Sequence, residues 1–376
     1  MSKPRIMTVF GTRPEAIKLA PVVHELRKRM DRIEPVVCVT GQHRQMLDQV
    51  LGVFDIEPDV DLNLMTFNQS LADLTALILK SMNEVFEQHQ PDCILVQGDT
   101  TTVMAASICA FYHKIKVGHV EAGLRTDNKY SPFPEEINRR LASQVADFHF
   151  APTPRSRENL LREGFSDANI VVTGNTVIDA LLMARDKAHQ ARPMWDRLDP
   201  KDFEGRPVVA ITGHRRESFG EGFQSLCRAI KRLASEFSDI AFIYPVHLNP
   251  QVRGPVFDLL SNLNNVYLIE PLEYLPFVSL MEKSLILISD SGGVQEEAPA
   301  LGKPVLVTRD TTERPEAVES GVAMLVGTDE ERIVGEASRL LRDKAAREEM
   351  GRIRNPFGDG TAAVQIMDWL EQRLKN

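Results

Sequence analysis

Several protein classes are excluded by what the sequence lacks. Cysteine is scarce: Cys38, Cys93, Cys109 and Cys227 stand singly in apolar surroundings, with no C-x-x-C spacing. That pattern gives neither a disulfide framework nor a cysteine zinc site, and it reads as small core residues in a reducing compartment. No run of 18 apolar residues occurs, so no membrane-spanning helix is expected. The apolar stretch Ile6 to Phe10 is too short for a signal-peptide core, which makes a cytoplasmic protein the expectation. An excess of basic charge is also missing. Against 44 Lys and Arg stand 53 Asp and Glu, a net charge of −9, so the chain is not built to coat nucleic acid or an anionic membrane. Walker A and H-E-x-x-H motifs are absent. The G-x-G-x-x-A match at Gly358 to Ala363 follows no strand pattern and leaves too little chain for a dinucleotide fold. His119-Val120-Glu121 has the H-x-E form of a zinc deaminase, but no P-C-x-x-C half accompanies it. Neither a metal nor a cofactor is expected.

What is present fits two domains. The 376 residues are about two and a half times the ~150-residue domain prior. Charged residues at 26% and apolar residues at 43% are ordinary globular values, so the chain buries a real core. Short β-rich runs alternate with helical periodicity, the pattern of βαβ units and parallel sheets. One series has strand candidates at Ile6 to Phe10, Val36 to Thr40, Ile94 to Gln97, Val117 to Val120, Phe148 to Ala151 and Ile170 to Val172. A second has them at Val208 to Thr212, Ile240 to Tyr244, Val266 to Ile269, Leu285 to Ser289, Val305 to Val307 and Ala323 to Val326. The fold class is therefore α/β, with two Rossmann-like doubly wound domains and a cleft between them. Gln190 to Pro207, polar and proline-rich, reads as a surface linker, with the domain switch slightly earlier at Thr173-Gly174-Asn175. The expected domains are 1–172 and 173–360. Ala362 to Leu374 reads as an amphipathic helix with Val364, Met367, Leu370 and Leu374 on one stripe.

Doubly wound sheets bind ligands beyond the carboxyl ends of their strands. After the first strand candidate, Gly11-Thr12-Arg13-Pro14-Glu15 feeds a helix and brings Arg13 and Lys18 near its start, a placement that suits phosphate as well as an ordinary βα turn. Asp99 follows the third and is either functional or a helix cap. Glu121 follows the fourth and is either a base or a hydroxyl acceptor. Glu135 and Arg139 are four apart on a predicted helix, where a surface salt bridge is the plain alternative to catalysis. In the second series, His214 is flanked by Arg215 after a strand, an anion-site pattern that also offers proton transfer. Phe277 suits a core position or a base-stacking platform. Ser289-Asp290-Ser291-Gly292-Gly293 passes from strand to helix, and its glycines let the backbone approach a phosphate at the helix N-terminus. Glu297 lies more than one turn further on, where a carboxylate can bridge ribose hydroxyls, and Arg314 follows the next strand.

Together, Gly11-Thr12-Arg13-Pro14-Glu15, Gln42-His43-Arg44, Gly98-Asp99-Thr100, His119-Val120-Glu121-Ala122-Gly123, Pro134-Glu135-Glu136-Ile137-Asn138-Arg139, Gly213-His214-Arg215-Arg216-Glu217 and Asp290-Ser291-Gly292-Gly293 resemble the bacterial non-hydrolysing UDP-N-acetylglucosamine 2-epimerase family. The resemblance runs from Thr8 to about Gly360. It implies a fold like the GT-B glycosyltransferases, a C-terminal helix at 361–376 that returns to the first domain, and a homodimer. It also implies interconversion of UDP-N-acetylglucosamine and UDP-N-acetylmannosamine without cofactor or metal, by elimination of UDP to a 2-acetamidoglucal and re-addition, supplying cell-surface polysaccharide. Closure of the domains would shield the glucal from water.

Carried onto this sequence, the resemblance makes Asp99, Glu121 and Glu135 the proton-handling candidates, with Arg139 orienting Glu135 or a sugar oxygen. Arg13, His214 and Arg314 would face the diphosphate, with Ser291, Gly292 and Gly293 donating to it and Lys18 a further nucleotide contact. Phe277 and the backbone of Leu272 would meet uracil, and Glu297 the ribose. A second, activating nucleotide sugar would touch Gln42, Gln45, Glu136, Arg215 and His247, although Asn68 stands where some activated members are basic. A GT-B glycosyltransferase, a hydrolysing 2-epimerase and a non-catalytic sugar-nucleotide sensor are the alternatives.

Overall fold

Runs of Val, Ile, Leu and Ala too apolar for one-sided burial build two parallel sheets in the computed structural model, which describes residues 3–41, 44–64 and 69–374. The first sheet contains β1 (Arg5–Phe10), β2 (Glu34–Val39), β3 (Val60–Asp61), β4 (Cys93–Gln97), β5 (Lys116–Val120), β6 (Phe148–Ala151) and β7 (Ile170–Val172), in the order β3-β2-β1-β4-β5-β6-β7. The second contains β8 (Val208–Thr212), β9 (Ala241–Pro245), β10 (Val266–Ile269), β11 (Ile286–Ser289), β12 (Val305–Val307) and β13 (Ala323–Leu325), in the order β10-β9-β8-β11-β12-β13. Helices between successive strands cover the faces, so the central strands are buried throughout, as parallel sheets require. This is the expected pair of doubly wound α/β sheets. The order reverses between β1 and β4 in one sheet and between β8 and β11 in the other. The loops leaving those four strands begin at Gly11, Gly98, Gly213 and Asp290, so the topology gathers the sequence motifs at the two switch points.

By contacts the chain divides into one unit of residues 1–180 with 357–376 and another of residues 181–356. The helix Ala362–Leu374 belongs to the first. Its start is capped from far along the chain, because Asp179 accepts the amides of Ala362 at 3.2 Å and Ala363 at 2.9 Å. Its far end is pinned where Glu371 accepts from Arg29 at 3.0 Å and Arg32 at 2.8 Å, while Trp369 meets Phe148 and Phe150 edge-on. The buried stripe is Ala362, Ala363, Ile366, Met367 and Leu370, and Val364, expected inside, is 39% exposed.

Three features go beyond what the sequence displays. The edge strand β3, paired with β2, has only two residues and leaves no periodic signal. Residues just after the proposed switch form the helix Thr176–Ala191. The 190–207 segment is exposed or half-buried along most of its length, as a surface linker is, but it is pinned by Trp195 and Phe203, which are buried with their rings 5.7 Å apart, and the Trp195 indole donates to Ser279 Oγ at 3.2 Å. Its prolines and charges hide that apolar anchor. The four cysteines are free and buried as expected, and burial pushes the Cys38 thiol up to about 12 and the Cys109 thiol up to about 11. Among the described residues, no helix is long and apolar enough to cross a membrane.

Candidate active site

At the switch point of the first sheet, Glu121 follows β5 with φ of 64°, a left-handed conformation uncommon for a residue with a side chain. Its buried carboxylate is surrounded by donors. Lys18 reaches Oε1 at 2.6 Å and Oε2 at 2.7 Å, Asn175 donates to Oε1 at 2.9 Å, and Gln97 at the end of β4 donates to Oε2. An ammonium and two amides favour the ionised form. Lys18, expected on a nucleotide, thus has its charge matched by Glu121.

Asp99 sits beyond Gly98, whose φ of 79° makes the turn out of β4. The turn is held by His119 Nε2, 2.7 Å from Gly98 O, and by Asn138 Nδ2, which donates to Asp99 O at 3.0 Å. Burial drives the His119 ring down to about 4, so it is neutral here and donates through Nε2. Arg139 contacts the Asp99 carboxylate, whose side chain keeps 25% exposure. Burial nevertheless raises the Asp99 pKa, with Arg139 opposing and Glu121 assisting. Two neighbouring carboxylates are therefore differentiated: one is saturated with donors, and the other is shifted toward protonation. Glu135, half-buried at the start of the helix Glu135–Val145, has no bond to Arg139 among the described residues. Arg139 turns instead to Asp99 and, at 3.2 Å, to Glu136, which corrects the expected Glu135 pairing.

Two further carboxylates are engaged within the protein. The amides of Gly11 and Thr12 donate to Glu15 Oε2 at 3.1 and 2.7 Å, and Thr100 donates to Oε1 at 2.7 Å. The first loop therefore directs its amides to a buried carboxylate in a capping box, and Arg13 beside it is half-buried. Glu136, expected on a second nucleotide, is fully buried and accepts from Arg139, from Arg140 at 2.9 Å and from the Thr126 amide at 3.1 Å. Gln42 and Asn68, and the side chain of Gln45, lie outside the described residues.

In the second sheet, Asp290 leaves β11 and turns back under the β8 loop. Its Oδ2 accepts the amides of His214 at 2.7 Å and Arg215 at 2.8 Å, while Oδ1 lies 3.3 Å from His214 Nδ1. Asp290 thus fixes the backbone at His214 and Arg215, while its buried Oδ1 makes no hydrogen bond among the described residues, and the His214 ring stacks on His247 at 5.7 Å. Burial lowers the His214 pKa, with Asp290 opposing. Ser291, Gly292 and Gly293 start the helix Gly292–Ala300. A Cβ on Gly293 would stand 3.5 Å from Glu297 Oε2, an ordinary contact, which places the start of this helix beside that carboxylate. Tyr274 donates to Glu297 Oε1 at 2.8 Å, and Phe277 lies half-buried in the same first turn of Tyr274–Lys283. Leu272 is half-buried in the preceding loop. Arg314 is anchored on the buried carboxylate of Glu296. Gln97, Asn175, Asp290, Tyr274 and Glu296 were not among the expected site residues, although Asp290 opens the Ser-Gly-Gly motif and Asn175 follows a strand end.

A sequence profile described as UDP-N-acetylglucosamine 2-epimerase matches residues 24–371. The chain belongs to the UDP-N-acetylglucosamine 2-epimerase family. Escherichia coli (strain K12) UDP-N-acetylglucosamine 2-epimerase is 53% identical over 370 residues, 98% of each chain. The Neisseria meningitidis UDP-GlcNAc 2-epimerase, solved bound to UDP-GlcNAc, matches with a TM-score of 0.88 at 52% identity, over 99% of this chain and 100% of that one. The fold reaches beyond the epimerase family. The glycotransferase of kitacinnamycin aligns over 98% of this chain and 100% of its own with a TM-score of 0.62 at 13% identity, which fits the GT-B-like architecture.

Proposed function

We propose that the protein is a non-hydrolysing 2-epimerase that interconverts UDP-N-acetylglucosamine and UDP-N-acetylmannosamine. The observation that carries this reading is 53% identity over 98% of the chain to a curated epimerase of that name, joined to carboxylates in two different electrostatic states at one switch point. The C2 proton passes to a carboxylate, the C1–O bond breaks, and UDP leaves with the bonding pair, giving a 2-acetamidoglucal. Re-addition of UDP with protonation of C2 from the opposite face yields the epimer.

In this reading Asp99 and Glu135 exchange protons, and Arg139 sets the direction of Asp99. Glu121 stays ionised and accepts from the sugar, while Lys18 fixes it. His214, Arg13 and Arg314 balance the charge developing on the diphosphate, and such electrostatic stabilisation is usually the largest catalytic contribution. Ser291, Gly292 and Gly293 donate to it, Glu297 takes the ribose, and Phe277 and the Leu272 backbone take the uracil. Arg215 and His247 remain candidates for a second nucleotide sugar.

Purified protein incubated with UDP-N-acetylglucosamine in heavy water, followed by NMR at C2, tests the proposal. Deuterium is expected at C2 of both epimers. Absence of both exchange and a new sugar nucleotide overturns it, and free N-acetylmannosamine with UDP as the products would make the protein a hydrolysing enzyme instead.

A further inference from the structure

We infer that Asn175, together with Gln97, is a positioning residue for the proposed site, holding the Glu121 carboxylate in one orientation from the crossing point of two chain segments. The inference rests on the epimerase reading for its kinetic consequence but not for its geometry.

Glu121 needs external restraint, since its left-handed backbone is a costly conformation that persists only where the surroundings over-determine it. Lys18 supplies charge to both oxygens, but an ammonium on a flexible stem gives little direction. The planar amides supply it, one on each oxygen: Asn175 on Oε1 at 2.9 Å and Gln97 on Oε2. Both are buried, at 3% and 2% exposure.

The orientation of the Asn175 amide is decided by its own network. Its Oδ1 accepts the Val177 amide at 3.1 Å, so Nδ2 must face Glu121. Its backbone amide donates to Phe357 O at 2.7 Å. Beside it Gly174, at φ of 86°, has no room for a side chain, because a Cβ would lie 3.1 Å from Phe357 O and 3.2 Å from Gly358 Cα. Residues 174–175 and 357–358 therefore form one crossing of outgoing and returning chain, and that crossing donates directly to the Glu121 carboxylate. The Thr173-Gly174-Asn175 segment lies within the first unit, beside the returning chain at 357–358.

The decisive variant is Asn175→Asp. It preserves size and the acceptor for Val177, removes the donor, and sets a second carboxylate against Glu121. The kcat for epimerisation is expected to fall about 10- to 100-fold, the range for losing a hydrogen bond to a charged group. KM should stay within about threefold of wild type, and the acidic limb of the pH–rate profile should move to higher pH because two carboxylates then compete for a proton. Gln97→Glu makes the same exchange at Oε2 and serves if Asn175→Asp does not fold. A selectively labelled 13C titration of Glu121, assigned with Glu121→Gln, reads the carboxylate without turnover. Its midpoint should rise in both variants. Unchanged kcat and pH profile, or an unchanged Glu121 titration, overturns the inference. A loss of activity that only tracks a lower melting temperature does so too. Wild-type protein without epimerase activity overturns the functional reading instead, and the Glu121 titration still decides this one.

Discussion

Replacing Asp99 by Asn lowers kcat on UDP-N-acetylglucosamine by at least ~10²-fold, the low end of a general acid–base contribution, while leaving the fold's stability nearly intact. The surroundings of Asp99 give both halves of that expectation. Its backbone is fixed independently of its carboxylate, by His119 on Gly98 O at 2.7 Å and by Asn138 on Asp99 O at 3.0 Å. An Asn at this position keeps an acceptor for Arg139, whose charge stays matched by the buried Glu136 carboxylate at 3.2 Å. What it loses is titration, and Asp99 is the neighbour whose pKa burial raises, the shift that brings a carboxyl nearer to working pH. The C2 exchange reaction separates roles: exchange lost in step with epimerisation assigns the proton to Asp99. Exchange that persists while epimer formation falls moves Asp99 to another step, and near-normal rates reduce it to structural support. Glu121→Gln is expected to behave differently. It also depresses turnover, but it removes the carboxylate whose two oxygens both meet Lys18, a side chain only 16% exposed. Breaking such a pair costs up to about 3–5 kcal/mol, so denaturant unfolding of Glu121→Gln should show a stability loss that Asp99→Asn lacks. The double variant Lys18→Met, Glu121→Gln should recover part of it.

That contrast marks where the sequence was readable and where it was not. Strand periodicity and the glycines after β1, β4 and β8 were enough to predict two doubly wound sheets and to bring Asp99, Glu121, His214 and Ser291 to strand ends, because loop position follows from topology alone. Pairing does not follow from topology. Glu135 and Arg139 share a helix at a spacing that favours contact, yet Arg139 is drawn to Asp99, 40 residues away in sequence, and to Glu136. Lys18 stands five residues past Arg13 and reads as a further nucleotide contact, and the spacing gives no sign that it also pairs with Glu121, 103 residues on. The amides of Gly11 and Thr12, in the loop that carries Arg13, donate to Glu15. In each case a carboxylate of the protein takes up the donors. Charge type was legible, but the choice between an internal and an external anion depends on side-chain distances that no spacing rule supplies.

Acid lability concentrated in two histidines is the second large effect expected. His119 on β5 and His149 on β6 are register partners on adjacent strands, both buried, and Nδ1 of each lacks a partner among the described residues. Burial lowers the His119 pKa from 6.5 to about 4, with Arg125 and Arg139 adding to the depression and Gly98 O and Glu121 opposing it. Burial likewise lowers His149 from 6.5 to about 3, reinforced by His119 and Arg125. A base whose pKa is depressed by folding binds its proton more readily in the unfolded chain. The stability it contributes is therefore complete above pH 6.5 and drains away as pH falls toward the folded values. By pH 4 the loss is on the order of 3 kcal/mol for each ring. Asp179, raised to about 6 by burial, works in the opposite sense, since the folded state favours its protonated form and gains as pH falls through 6. A wild-type profile alone would mix these contributions. His149→Phe isolates one of them: Phe can keep the ring contact with Phe165, 4.8 Å from the imidazole, and it abandons no bond at Nδ1. Urea unfolding of wild type and His149→Phe at pH 7 and pH 4 should show the variant losing about 3 kcal/mol less over that interval. Parallel losses in the two proteins would mean that His149 does not drive the acid transition. A variant that also keeps epimerase activity at pH 7 would separate this buried pair from the chemistry at Asp99, even though His119 holds the turn on which Asp99 sits.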